Sequence, residues 1–184
     1  ACRHESGGPR PTCLDRSRRS PCLTCMLFDT HCHLDDPRLG EELDEVLARA
    51  RQAGVRRITS IGCAHDLDSI DSALKIARAY PDWISATVGV HTHDAKHLDD
   101  ALHDAIVEVA KDPSVVAIGE TGLDYHYDHS PRDLQLQAFR SQIAIAKELD
   151  KPLVIHTRSA PEDTLRILRE ENARDVGGRL HCLS

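Results

Sequence analysis

The sequence has few aromatic residues and no long apolar run. Phenylalanine, tryptophan and tyrosine make up 3% of the 184 residues, and Met26 is the only methionine. No segment approaches the roughly 18 to 20 consecutive apolar residues that span a bilayer. The first residues also lack the apolar core of a secretory signal. We therefore expect a cytoplasmic protein with no membrane partner.

Most of the chain also has fewer basic than acidic residues. Lysine and arginine total 23 against 30 acidic residues, a formal net charge of −7. Residues 1–25 hold five of the arginines and two of the acidic residues, so residues 26–184 carry 18 basic against 28 acidic side chains, or −10. This balance excludes a broad basic surface of the kind that grips duplex DNA.

The seven cysteines do not form the pattern of a disulfide framework. Four lie within residues 1–25, and Cys22 and Cys25 form one CxxC pair with no second pair at zinc-ribbon spacing. The remaining three are scattered beside strand-like segments, where a buried thiol behaves as a small apolar side chain. They are Cys32, Cys63 and Cys182.

Residues 1–25 differ in composition from the rest. Glycine and proline interrupt any helical or strand period in this arginine-rich segment. A nucleic-acid-binding tail is one interpretation. We favour a disordered leader or a mis-annotated N-terminal extension, with Met26 as the true start and residues 26–184 as the folded part.

From Met26 onward, apolar runs alternate with amphipathic stretches. Six runs begin 29, 28, 31, 37 and 26 residues apart, an interval typical of βα units with parallel strands. Between them, helical spacing of apolar residues predicts about five helices, and Ser130 and Ser159 resemble capping-box starts. The fold class is therefore α/β, either an open doubly wound sheet or a (β/α)8 barrel. No glycine-rich phosphate loop follows the first strand, which weakens the open-sheet alternative.

Histidines and one glutamate collect at the carboxyl ends of the predicted strands. In a barrel those ends meet at one mouth, where such enzymes place their active sites, so this placement favours the barrel. Imidazoles with a carboxylate are suitable ligands for zinc or manganese. The residues are His31, His33, His91, His93, Glu120, His156 and His181.

The stretch FDTHCHLDD, residues 28–36, places Asp29, His31 and His33 at alternating positions. Side chains at i, i+2 and i+4 of a strand share one face, so the two imidazoles can chelate one ion while Cys32 faces away. Glu120 has two oxygens and could bridge two ions roughly 3.5–4 Å apart. Such a pair lowers the pKa of water, and the implied reaction is hydrolysis.

Five ordered motifs, FDTHCHL, VGVHTHD, IGETGLDYHYD, KPLVIHTRSA and GGRLHC, resemble those of the TatD-type metal-dependent hydrolases, often described as deoxyribonucleases. The resemblance covers residues 26–184 and implies a TIM-type (β/α)8 barrel of the amidohydrolase-like class, with about six βα units present. It implies two divalent ions (Zn, Mn or Mg), one held by His31 and His33, the second by His156 and His181, with Glu120 between them. His91, His93 and Arg158 would bind the substrate. The implied activity is 3′-exonuclease-like cleavage of DNA, and the acidic body suits single-stranded ends.

Two features depart from the family pattern. Thr92 stands where the family usually has proline. The family also continues through two more βα units, and the aspartate that one of them supplies to the first metal is expected beyond Ser184 and is absent here. We therefore expect a fragment with unpaired edges at strands one and six, which binds metal weakly and is nearly inactive.

Two other functions fit the same residues. An ester or amide hydrolase, such as an aminoacyl-tRNA deacylase, needs the same ligands, although strand four ends in Glu120 and offers no lysine for the carboxylated-lysine site of amide hydrolases. The third hypothesis is an inactive gene fragment. The oligomeric state cannot be read from the sequence.

Overall fold

The computed structural model describes residues 26–183 and contains the expected alternation of strands and helices. The prediction of six strands and about five helices is confirmed. The strands are β1 (Leu27–Cys32), β2 (Val55–Ser60), β3 (Ile84–Val88), β4 (Val115–Asp124), β5 (Leu153–Arg158) and β6 (Gly178–His181). The helices are α1 (Leu43–Gln52), α2 (Ser72–Ala79), α3 (Asp100–Ala110), α4 (Arg132–Glu148) and α5 (Pro161–Glu170). The prediction of a leader over residues 1–25 lies outside the described residues.

All six strands are parallel and lie in the order β1-β2-β3-β4-β5-β6. Sequential parallel strands joined by helices curl into a half-barrel of the TIM type, so the predicted fold class is confirmed. Within residues 26–183, β1 and β6 are the two edges of the sheet. Leu27 and Phe28 on β1 and Leu180 on β6 are exposed apolar side chains at these edges.

The two faces of the sheet pack differently. On β4 and β5, Ile118 and Ile155 belong to the large core beneath the helices, whereas Ala117 and Val154 form a small separate cluster with Ile61. Alternation along a strand places neighbouring residues on opposite faces. Residues at even positions of β5 therefore continue the face of Val154, which is the concave side.

The two predicted capping boxes are wrong. The N-cap of α4 is Pro131 and that of α5 is Ala160, and neither helix start has a side-chain cap. Ser130 Oγ instead donates to the carbonyl of His93 (2.7 Å) and accepts from the backbone N–H of Lys96 (3.2 Å). The serine thus anchors the turn after β3, a tertiary role that competes with local capping. Within the described residues, no helix is both long and apolar enough to cross a membrane.

Gln142 is a buried polar side chain that holds the chain just before His91. Its Oε1 accepts from the backbone N–H of Val90 (2.8 Å), and its Nε2 donates to the Val90 carbonyl (3.0 Å) and to Thr121 Oγ1 (2.8 Å). These bonds fix the end of β3 against β4. They position the loop that carries the third-strand histidines.

Replacing Gln142 with leucine is expected to lower the free energy of unfolding by about 2–5 kcal/mol, because two backbone groups of Val90 lose buried partners. The matched control is Gln137→Leu, an exposed position on the same helix, where the change should stay within about 0.5 kcal/mol. Urea unfolding followed by circular dichroism measures both. Equal stability of the two variants would show that this clamp contributes little.

Candidate metal centre

The strand ends that the sequence predicts to converge do meet at one mouth. A cavity of about 340 Å³ opens there. It is lined by His33, Cys63, His91, His93, Asp94, Glu120, Asp124, Tyr127, His156, Arg158 and His181. Seven of the eight predicted site residues lie along this wall, and His31 lies against them through its contact with Glu120.

Glu120 lies at the centre of the site and is 2% exposed. Five imidazoles place a nitrogen within 4 Å of its carboxylate. From Oε2 the distances are 3.2 Å to His31 Nε2 and 3.8 Å to His33 Nε2; from Oε1 they are 2.8 Å to His156 Nδ1, 3.7 Å to His91 Nε2 and 3.8 Å to His181 Nε2. One carboxylate is thus shared by every histidine predicted as a ligand.

Glycine allows β4 and β5 to approach closely beside this carboxylate. Gly122 pairs with His156 in the sheet register and has φ of 134°. A Cβ at this position would collide with the His156 backbone. The close approach helps to place the His156 ring against Glu120, and His156 in turn pairs with His181 on β6.

The ligand atoms fall into two groups of three by distance alone: His31, Glu120 and His181, and His91, Glu120 and His156. This grouping differs from the pairing that the family resemblance implies. His33 belongs to neither group, and its side chain is 43% exposed. His91 appears as a potential ligand, although the resemblance assigns it to the substrate.

Tautomer geometry argues against His91 as a ligand. Its Nδ1 accepts a hydrogen bond from the backbone N–H of His93 (3.2 Å). A neutral imidazole with an accepting Nδ1 carries its proton on Nε2, and that nitrogen faces Glu120. In this tautomer His91 presents an N–H donor to the cavity, toward Glu120 and His156 Nδ1 (3.4 Å), rather than the lone pair that a cation needs.

The first strand departs from the alternation that the sequence suggests. β1 ends at Cys32, before His33, and its register with β2 shifts between Asp29 and Cys32. The Asp29 carboxylate is exposed and accepts from the backbone N–H of His31 (3.1 Å). Cys32 donates to the carbonyl of Thr59 and packs against the large core, away from the site as predicted.

The site fits a cation on two observations. Both ring nitrogens of His31 are buried, and neither forms a hydrogen bond within residues 26–183. His156 Nε2 lies 3.2 Å from Asp124 Oδ2, so this nitrogen is the donor and Nδ1 meets Glu120 Oε1 at 2.8 Å. Two acceptors at that distance require a proton or a metal ion between them.

The pKa shifts reflect the same geometry. Burial is the main reason that the pKa of His91 falls to about 3, and burial beside His31 lowers the pKa of His181. Burial alone would raise the pKa of Glu120, but the neighbouring imidazoles of His156, His31 and His91 outweigh it and hold that pKa below its ordinary value. Burial opposes the charged form of His156, yet Glu120 and Asp124 raise its pKa. The wall thus combines the ionised carboxylate of Glu120 with two imidazoles, His91 and His181, whose neutral form is favoured, while His156 holds a proton more readily and would release it on binding a cation.

Asp124 is a site residue that the five sequence motifs do not single out. It ends β4 and is 1% exposed. Its Oδ2 accepts from His93 Nε2 (3.0 Å) and His156 Nε2 (3.2 Å), and its Oδ1 accepts from the backbone N–H groups of His126 (2.9 Å) and Tyr127 (3.0 Å). Burial would raise the pKa of Asp124, but these bonds lower it.

The remaining predicted substrate residues line the outer part of the cavity. His93 contacts Asp124 rather than Glu120. Arg158 ends β5, and its guanidinium carbon lies 4.5 Å from the centre of the Tyr127 ring. Cys63 also faces the cavity, with Sγ 4.0 Å from His33 Nδ1, and burial raises the pKa of its thiol.

Comparison with known proteins gives the family of this chain. A family model described as "TatD related DNase" matches residues 28–184. The chain belongs to the TatD-related DNase family.

Several TatD relatives show the extent of the match. The chain is 45% identical over 159 residues to the "Uncharacterized metal-dependent hydrolase YabD" of Bacillus subtilis, covering 86% of this chain and 61% of the relative. It is 39% identical over 158 residues to the "3'-5' ssDNA/RNA exonuclease TatD" of Salmonella typhimurium, covering 86% of this chain and 60% of the relative. The solved structure of YJJV, a TatD homologue from Escherichia coli K12, superposes with a TM-score of 0.77 at 27% identity over 85% of this chain and 60% of that one.

Proposed function

We propose that this site hydrolyses phosphodiester bonds of single-stranded DNA from the 3′ end with the help of two divalent ions, Zn, Mn or Mg, and that it works in the cytoplasm. The observation that carries the proposal is the convergence of five imidazoles within 4 Å of the buried Glu120 carboxylate. The exonuclease name of the Salmonella typhimurium relative supports the substrate class. The chain spans about 60% of the length of these relatives, so the activity is proposed for the site rather than transferred from them.

We assign one ion to His31 and His33 and the second to His156 and His181, with Glu120 shared. Two observations support this assignment: the buried His31 nitrogens form no hydrogen bond within residues 26–183, and His156 turns Nδ1 toward Glu120 Oε1 while its Nε2 faces Asp124. When bound, such ions polarise a phosphodiester and lower the pKa of water. Glu120 supplies the negative charge that both positions need.

The substrate is held by the donors that remain. His91 offers Nε2–H to a phosphate oxygen, because its Nδ1 is already occupied by the His93 backbone. Arg158 forms no ion pair with a carboxylate among the described residues, so its charge is available to a phosphate. With a formal charge of −10 over residues 26–184, these local groups suit a single-stranded end better than a duplex.

The test is cleavage of a short single-stranded DNA labelled at its 5′ end, with protein in excess so that one slow turnover is visible. We expect a ladder that shortens from the 3′ end with Mn²⁺ or Zn²⁺ and disappears with chelator. The Glu120→Gln protein should give no ladder. Duplex DNA of the same sequence should be cut more slowly.

An aminoacyl ester assayed in parallel distinguishes the alternative hydrolase. Metal-dependent cleavage of the ester without cleavage of DNA would contradict the proposal and favour a deacylase. The matched control for Glu120→Gln is Glu45→Gln, an exposed carboxylate on α1, which should leave the ladder unchanged.

A further inference from the structure

We propose that Tyr127, His129 and Arg158, called here the rim, form a subsite that stacks the terminal nucleobase next to the phosphodiester. This inference rests on the proposed function and extends it to what the site recognises. Residues 126–129 follow β4 as an exposed stretch at the mouth of the cavity. Tyr127, one of six aromatic residues outside histidine, lines this mouth.

The rings of the rim lie in contact with one another. Tyr127 and His129 are parallel, with 7° between their planes and 5.5 Å between ring centres. The Arg158 guanidinium lies over the Tyr127 ring at 4.5 Å. Tyr127 is 50% exposed and also lines the cavity that contains Glu120. Planar groups stacked at an open mouth offer a surface for a base, because every base has a π-face.

Positive charge accompanies these rings. Arg158 has no carboxylate partner in the described part of the chain, and Lys96 Nζ donates to the carbonyl of His129 (3.1 Å). Cations that follow the backbone, together with rings that stack on bases, are the usual combination in proteins that bind single strands. The rim combines the two rings of the loop after β4 with the positive charges of Arg158 and the neighbouring Lys96.

The rim is also held in a fixed relation to the reacting groups. Asp124 accepts from the backbone N–H of Tyr127 with one oxygen and from His156 with the other. His93 packs edge-on to both Tyr127 (5.6 Å) and His129 (4.6 Å). A base on the rim would therefore lie at a set distance from the phosphate that His91 and Arg158 contact.

The test measures binding without turnover. Fluorescence anisotropy of a 5′-labelled single strand is compared with that of the same strand carrying an abasic residue at its 3′ end, both in Ca²⁺. We expect the wild-type chain to bind the complete strand about tenfold more tightly than the abasic one. Tyr127→Ala should bind both equally and weakly, whereas Tyr127→Phe, which keeps the ring, should restore the difference. Arg158→Ala should weaken both strands, and Arg49→Ala, an exposed arginine on α1, should weaken neither.

The outcomes separate the two proposals. If wild-type protein binds both strands with equal affinity, or Tyr127→Ala keeps the tenfold difference, the base subsite is wrong while the phosphodiesterase function stands. If the wild-type chain binds neither strand and also fails to cleave DNA, the proposed function fails and the subsite fails with it.

Discussion

Glu120→Gln is expected to abolish binding of both metal ions, while each single histidine ligand variant loses only one. The reason is that the carboxylate of Glu120 lies between the two predicted pairs of imidazoles, within 4 Å of all four. Glutamine keeps the shape but removes the charge that attracts both cations. Native mass spectrometry should therefore count two ions for wild type, none for Glu120→Gln and one for His156→Asn.

Thermal stability gives a second measurement of the same effect. At an ion concentration one hundred times the dissociation constant, binding stabilises a protein by about 2.7 kcal/mol. We expect added metal to raise the unfolding temperature of the wild-type protein and to leave that of Glu120→Gln unchanged. Unfolding in chelator checks that the variant folds. A metal-induced shift that survives in Glu120→Gln would show that the ions bind elsewhere.

His91→Asn decides between the two pairings of ligands. The tautomer argument makes His91 a donor to the substrate, so this variant should keep two ions and bind DNA more weakly. If it keeps only one ion, then the grouping of His91 with Glu120 and His156 is the correct one. His33→Asn provides the complementary check, since it should lose an ion only under the pairing that we propose.

Strand order and strand ends could be predicted from the sequence because both follow from local patterns. The runs that start at 115 and 152 begin within one residue of β4 and β5. Parallel βα units then place the carboxyl ends at one mouth without further information. For this reason Glu120, His156 and His181, each at or within a strand end, were predicted at the cavity where they lie.

Two features could not be read from the motif pattern. The position of His33 depends on where β1 ends and on its irregular register with β2, which is a property of strand pairing and not of one segment. The tautomer of His91 depends on the His93 backbone, which turns back only because a short helical turn follows β3. Both require the tertiary structure.

Asp124, in contrast, carried a signal that was available. It stands four residues after Glu120, and alternation along a strand places i and i+4 on one face. The same rule relates Asp29, His31 and His33. The sequence pattern predicts that β4 ends at Glu120, whereas the strand continues to Asp124 and brings its side chain into the site.

Asp124→Asn is expected to weaken metal binding at the His156 position about 10- to 100-fold, a range typical of carboxylates that orient a histidine ligand. Asparagine keeps an oxygen for the N–H groups of His126 and Tyr127. Its amide nitrogen, however, would face His93 Nε2 and His156 Nε2. These two nitrogens donate to Asp124 Oδ2 in the wild type, and an amide N–H cannot accept from them. His156 then loses the hydrogen bond that keeps its proton on Nε2, and with it the preference for presenting the Nδ1 lone pair to the ion.

Asp128→Asn is the matched control, since it removes the same charge four residues further along the chain, at an exposed position whose ion-pair partner among residues 26–183 is Arg132. The Asp128→Asn variant should leave the affinity for metal unchanged. Calorimetric titration of metal into both variants, each first freed of metal with chelator, measures the two dissociation constants. Because Asp124 contacts both His156 and His93, its variant should also lower DNA affinity in Ca²⁺, and Asp128→Asn should not. Equal metal affinities for the two variants would show that His156 keeps its orientation without Asp124, leaving the sheet register with Gly122 as the feature that positions this ligand.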